Sequence, residues 1–291
     1  MDMNKQFIKS LLVTGASSGI GQAIALRMSE AGWKVYAGVR KEDDALHLSK
    51  ITNGKVKPVF LDVTDTASIA AARALIEHEQ GGAGLDGLVN NAGIPLGGPL
   101  EFLDIQQFRY QLEVNVLGVV AVTQAFMPLL RSAAGGGRII NMGGIFGRVS
   151  LPLYGPYAAC KHALVALTEA LRMEVALWGI RVILIEAGDT DTRIWNKVGT
   201  MVDTFAATWP QSSMKLYGPL LGIRDRFVPH GMPPEKVAAV VSAALMSRRP
   251  KNRYLVGWDI VGFFYLFRLL PPALRDRIVA SKLPKYGPES G

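Results

Sequence analysis

From Leu11 to Ala31, a short apolar run gives way to Thr14-Gly15-Ala16-Ser17-Ser18-Gly19-Ile20-Gly21 and then to apolar residues at helical spacing, with Gly32 as a stop signal. A strand, a glycine-rich turn and a helix in that order constrain the fold strongly. The glycines let the backbone approach a pyrophosphate and let the helix lie close to the strand. The helix N-terminus offers free N–H groups and the positive end of its dipole to the anion. The spacing is G-x3-G-x-G, and ordinary strand–helix junctions also use glycine turns. The rest of the chain must therefore decide between the two.

It alternates in the same way. Further apolar runs at Lys34–Val39, Val56–Leu61, Leu85–Val89, Arg138–Met142 and Arg181–Glu186 read as strands. Helical spacing fills Ile69–Glu79, Phe108–Arg131 and Pro156–Trp178, the last with proline in its first turn. The pattern predicts an α/β protein: a Rossmann-type, doubly wound parallel sheet in three αβα layers. No repeat and no Pro/Ser linker divides the chain, so a single domain is expected. Its parts are a core at 8–188, an irregular insertion at about 190–232 and a C-terminal cap at about 258–291.

A content of 49% hydrophobic and 19% charged residues argues against disorder. The net charge of +8 comes from scattered Lys and Arg with no basic run among aromatics, so nucleic-acid binding is not expected. A basic balance also suits a phosphorylated cofactor. Cys160 is the single cysteine, which rules out an intramolecular disulfide and fits a reducing, cytoplasmic location. His47, His78, His162 and His230 lack ligand spacing, so no metal is expected. Ile260–Phe267 is apolar, but Asp259 and Arg268 bracket it, far short of the roughly 20 residues of a spanning helix.

The second strand ends at Val39-Arg40-Lys41. Enzymes that grip the ribose 2′-hydroxyl place a carboxylate there, which would repel a 2′-phosphate. Arg40 can instead bond such a phosphate in a fork, favouring NADP(H) over NAD(H). Tyr157 and Lys161 stand four residues apart and share a helix face. A free tyrosine titrates too high for an efficient base at neutral pH, and a nearby Lys⁺ is expected to lower it. Tyr157 could then exchange a proton with a reacting oxygen.

Taken together, the chain resembles the short-chain dehydrogenase/reductase family over about residues 8 to 260. The matches run in order: TGASSGIG at 14–21, LDVTD at 61–65, NNAG at 90–93, Asn115 in EVNVLG, and YAACK at 157–161. GPYAACKHAL and the later RYLVG look like its hydroxysteroid and retinol dehydrogenase branch. The resemblance implies that Gly15, Ser17, Ser18, Gly19 and Ile20 lie along the pyrophosphate, and Asp62 and Val63 at the adenine. Asn91, Ala92 and Gly93 border the adenosine ribose. Asn115 holds a water in a proton relay through Lys161, which also binds the nicotinamide ribose. Tyr157 is the general acid/base, and Gly188, Thr190 and Thr192 hold the carboxamide. The implied activity is hydride transfer between NADP(H) and a bulky hydrophobic ketone or secondary alcohol, in a homodimer or homotetramer.

Two positions depart from the family pattern. A serine that polarises the substrate carbonyl is expected thirteen residues before Tyr157, and Gly144 stands there, in Asn141-Met142-Gly143-Gly144. Three readings follow. Tyr157 acts as sole donor, and the missing hydroxyl makes room for a bulky substrate. Or Ser150, Tyr154 or a water substitutes. Or the chain is a cofactor-binding homologue with little turnover and a regulatory or scaffold role. The second departure is Ala187-Gly188-Asp189-Thr190-Asp191-Thr192, where Pro-Gly-x-x-x-Thr is usual.

Cys160 reads as a small helix residue, and His162 as surface or interface. Trp195, Phe205, Trp209, Tyr217 and Leu220–Leu221 either line an apolar pocket or pack the insertion onto the domain. The C-terminal stretch with Arg268, Arg275, Arg277 and Lys282 reads as a cap on the substrate pocket or a partner subunit, in preference to a peripheral membrane contact.

Overall fold

The computed structural model describes residues 8–188, 190, 211–220, 231–257 and 265–283. Seven parallel strands form one sheet in the order β3-β2-β1-β4-β5-β6-β7. They are β1 (Ser10–Val13), β2 (Lys34–Val39), β3 (Val56–Phe60), β4 (Gly87–Asn90), β5 (Arg138–Met142), β6 (Arg181–Ala187) and β7 (Arg253–Val256). The four residues of β1 and of β4 are all buried, as expected where helices cover both faces of a parallel sheet.

Helices α1 (Gly19–Glu30), α2 (Glu42–Ile51) and α8 (Pro234–Met246) cover one face. There Ile24, Met28, Leu48, Val237, Val241 and Leu245 meet Leu11 and Val13. Helices α3 (Thr66–Gln80), α5 (Gly118–Ser132) and α6 (Gly155–Glu174) cover the other, where Ile69, Ile76, Phe126 and Leu130 meet Leu12 and Tyr36. Asp65 caps α3 by accepting from Ala67 N, and Gly81, at φ 54°, ends it in the left-handed region. Helix α4 (Ile105–Leu112) runs into α5. A short helix α7 (Gln211–Tyr217) and a C-terminal helix α9 (Pro272–Ala280) complete the described elements.

Three elements differ from the sequence reading. The helix expected at Phe108–Arg131 runs over Ile105–Ser132 and widens into a π turn at Glu113–Leu117, around Asn115. That stretch is long and apolar enough to cross a membrane, yet 56% of its apolar window is buried within the protein. The six strands read from sequence become seven: β7 pairs with the C-terminal half of β6, and α8 precedes it. Apolar spacing in 234–246 suits a helix, but nothing local announces that RYLVG joins a sheet formed about 70 residues earlier.

Phe126 is fully buried among α3, β4 and β5 residues. Phe126→Ala should lower the unfolding free energy by about 3–5 kcal/mol, read from the urea midpoint. A loss under about 1 kcal/mol would show that the site collapses around the cavity.

Candidate active site

Strand order reverses between β1 and β4, and the loops leaving their C-terminal ends diverge around a cleft of about 340 Å³. Two motifs far apart in sequence are stitched together beneath it. Thr14 Oγ1 accepts from Asn91 N and Ala92 N at 3.0 Å each, and Asn91 Nδ2 donates to Thr14 O and Gly15 O at 3.0 Å each. The contact is too close for side chains. Gly15 has φ 63°, and a Cβ on it would lie 2.8 Å from Ala92 Cα. A Cβ on Gly21 would lie 2.5 Å from Asn91 Nδ2.

Gly15, Ser17, Ser18, Gly19, Ile20, Arg40, Asp62, Val63, Asn91, Ala92 and Gly93 all line this cleft. No side-chain cap closes α1, whose first N–H groups remain available to an anion. Bare glycine backbone, an open helix end and a guanidinium at the far side fit a dinucleotide phosphate. The Arg40 side chain is 57% exposed and lies 4.0 Å from Asp62 Oδ2. Burial opposes the charge on Asp62, but bonds from Thr64 N (2.9 Å) and Thr64 Oγ1 (2.8 Å), with Arg40, hold its carboxyl below the usual range. Lys41 and Asp44 also line the cleft. Asp44 escaped the sequence reading because a charged first helical turn is ordinary.

Tyr157 and Lys161 lie on one face of α6, as their spacing predicts. Lys161 is buried and donates to Met142 O at 2.8 Å, with Nζ 5.5 Å from the centre of the Tyr157 ring. Burial pushes its ammonium down to about 8, opposed by Cys160. Burial, and secondly Cys160, push the Tyr157 phenol up. The expected lowering of Tyr157 by Lys161 is therefore overturned. The lysine bonds a backbone carbonyl, and burial is the first cause of the phenol's rise. Cys160 is fully buried beside Asn115, and burial raises its thiol to about 11, a poor nucleophile at neutral pH. His162 is exposed.

Asn115 sits in the π turn, a feature that often marks functional sites. Its side chain accepts from Ile94 N at 2.8 Å and donates to Ile94 O at 2.7 Å, tying α4–α5 to the NNAG loop. Beneath lies a buried relay that the sequence reading missed. Asn90 Nδ2 donates to Thr123 Oγ1 (3.0 Å) and to Asn141 Oδ1 (2.9 Å), and Asn141 Nδ2 donates to Thr168 Oγ1 (2.9 Å). These bonds cross-link β4, β5, α5 and α6 under the tyrosine.

Gly144 has extended backbone, φ 160° and ψ 173°, open to any residue. A Cβ there would meet only Ala187 O, at an ordinary 3.6 Å, so neither strain nor crowding demands glycine. Gly143 is tighter, with Leu184 Cδ1 at 3.0 Å. Ser150 is exposed, whereas Tyr154 is buried and stacked on Phe146 with ring centres 5.1 Å apart. Phe146 also meets Tyr157 edge-on at 5.6 Å. Around this aromatic group lies an apolar cluster that includes Val149, Leu153 and Phe267, with Tyr157, Tyr217, Leu220 and Ile278 packed against it. Tyr217 and Leu220 therefore bring the insertion to the same cluster, and Phe267 and Ile278 bring the C-terminal segment.

Gly188 N donates to Val256 O at 2.8 Å, and Thr190 Oγ1 donates to Gly188 O at 3.3 Å. Thr192, Trp195, Phe205, Trp209 and Leu221 fall outside the described residues.

The family model for short chain dehydrogenases matches residues 9–203. An NADPH-dependent 3-dehydrocapnine reductase of Ornithobacterium rhinotracheale is 34% identical over 286 residues, covering 96% of this chain and 99% of the relative. Retinol dehydrogenase 5 of Homo sapiens is 33% identical, covering 94% of this chain and 89% of the relative. A solved short chain dehydrogenase from Burkholderia cenocepacia J2315, in complex with NADP, superposes with a TM-score of 0.71 at 28% identity, covering 93% of this chain and 97% of that one. The chain belongs to the short-chain dehydrogenase/reductase family, oxidoreductases that use a nicotinamide cofactor.

Proposed function

We propose that the protein is an NADP(H)-dependent carbonyl reductase, reversible as a secondary-alcohol dehydrogenase, acting on a bulky hydrophobic ketone or alcohol. The observation that carries this reading is the placement of Tyr157 at the edge of an apolar cluster, on the sheet edge where the glycine cleft also opens. When bound, the nicotinamide supplies the hydride.

The residues divide the remaining work. Gly15, Ser17, Ser18, Gly19 and Ile20 would hold the pyrophosphate against the α1 N-terminus. Arg40 would meet the 2′-phosphate, Asp62 and Val63 the adenine, and Asn91, Ala92 and Gly93 the adjoining ribose. Lys161 would bind the nicotinamide ribose, and Gly188 and Thr190 its carboxamide. Asn115 would fix the NNAG loop and steady a water near Lys161.

Tyr157 is the proton donor to the carbonyl oxygen. Burial keeps its phenol protonated well beyond neutral pH, which suits an acid and so the reductive direction. NADP(H) preference is supported by Arg40, by the NADPH-dependent reductase among the relatives and by the NADP complex among the solved structures. A bulky apolar substrate is supported by the aromatic surroundings of Tyr157 and by the retinol dehydrogenase relative. At Gly144 a side chain would meet only Ala187 O, and we read that open position as room for the substrate.

Following reduced-cofactor absorbance with a panel of ketones tests the assignment. Tyr157→Phe should lower kcat by about 10²–10⁴-fold while cofactor binding persists. Arg40→Ala should weaken NADPH binding about ten- to hundred-fold, the worth of a hydrogen bond to a charged group, and leave NADH binding unchanged. Turnover that survives in the Phe variant, or wild-type preference for NADH, would refute it.

A further inference from the structure

The end of β6 carries a buried charge that the proton chemistry does not use. Glu186 is fully buried and directly precedes the Ala187–Gly188 turn. Its Oε1 accepts from Arg148 Nε at 2.7 Å. Its Oε2 accepts from the Tyr265 hydroxyl at 2.5 Å and lies 3.4 Å from Arg253 Nε. Arg253 also donates to the Tyr265 hydroxyl at 3.0 Å and to Glu169 Oε1 at 2.6 Å. The Arg148 guanidinium lies over the Tyr265 ring, 5.6 Å from its centre.

Burying a carboxylate is costly unless each oxygen finds a donor, and here each donor comes from a different element. Arg148 follows the Gly143–Gly144 segment, Arg253 is on β7, and Tyr265 lies in the C-terminal segment. Glu169 adds α6, the helix of Tyr157. The Tyr265 hydroxyl both donates and accepts. Burial, and then its bond to Glu186, push its phenol up, so it remains a donor.

Two residues beyond Tyr265, Phe267 is buried in the cluster that surrounds Phe146 and Tyr157. A displacement of Tyr265 would therefore disturb the packing of Phe267 in that cluster. We infer that Glu186 is a positioning residue, clamping the C-terminal segment through Tyr265 so that Phe267 stays packed in the apolar cluster that Tyr157 also joins. This rests on the carbonyl-reductase reading. It goes further in naming what holds that apolar cluster in place for the apolar part of the substrate.

Tyr265→Phe tests it with the ring and its packing preserved. With androstanedione as the bulky ketone and cyclohexanone as the small one, KM for androstanedione should rise about ten-fold. Its kcat, and both constants for cyclohexanone, should stay within about two-fold. A loss shared equally by both ketones would mark a role in stability alone and overturn the inference. So would no change with either.

Trypsin cleavage after Arg268 and Arg277 reads the same clamp without turnover and should be about ten-fold faster in the variant. Unchanged cleavage would overturn the clamp. Failure of the wild type to reduce either ketone, with cleavage accelerated in the variant, would count against the carbonyl-reductase reading and leave the clamp standing. Glu186→Gln, which keeps the shape but not the charge, should accelerate cleavage at least as much.

Discussion

Seven parallel strands deliver their C-terminal loops to one edge of the sheet, and the hydrogen bonds of Thr14 and Asn91 hold the two loops at the reversal point together. Much of the site depends on that junction. It brings Gly15 against the Ala92 backbone, orients α1 toward the cleft and places Gly93 and Ile94 where Asn115 grips them. The grip in turn fixes the π turn of the long central helix, and the Asn90–Asn141–Thr168 relay carries the alignment to α6. Within this network Asn141 bonds both Asn90 and Thr168, while Asn90 Oδ1 is buried without a partner among the described residues.

Desolvation sets the protonation around Tyr157. Tyr157, Cys160 and Lys161 lie within five residues, and burial pushes each toward its neutral form. Spacing along a helix shows which side chains share a face, but not how much water reaches them or which neighbour takes the lysine's hydrogen bond. A Lys⁺ beside a phenol lowers it only where burial does not dominate. Burial of the Tyr157 phenol is the first cause of its rise.

The same distinction separates what could be read in the chain from what could not. The glycine turn, the Tyr–Lys pair and the alternation of strands and helices are local patterns, and each is present in the structure. Eleven cofactor-site residues inferred from sequence line one cleft. Features that depend on distant partners stayed hidden. Nothing around Arg253 indicates that its strand will dock on β6. Glu186 looked like an ordinary strand residue until Arg148, Arg253 and Tyr265 converged on it. Asn90 and Asn141 carry no local sign that their side chains will meet.

Gly144 joins both kinds of reading. Its place relative to Tyr157 exposed the missing serine, and its backbone removes the conformational excuse for glycine. On the proposed function, Tyr157 would be the sole side-chain donor in a site widened for a bulky substrate. The direct measurement is kcat/KM of Gly144→Ser with cyclohexanone and with androstanedione. A restored donor can contribute up to about 10²-fold in rate, so the account predicts a gain with the small ketone and a loss with the bulky one. An equal gain with both would contradict it.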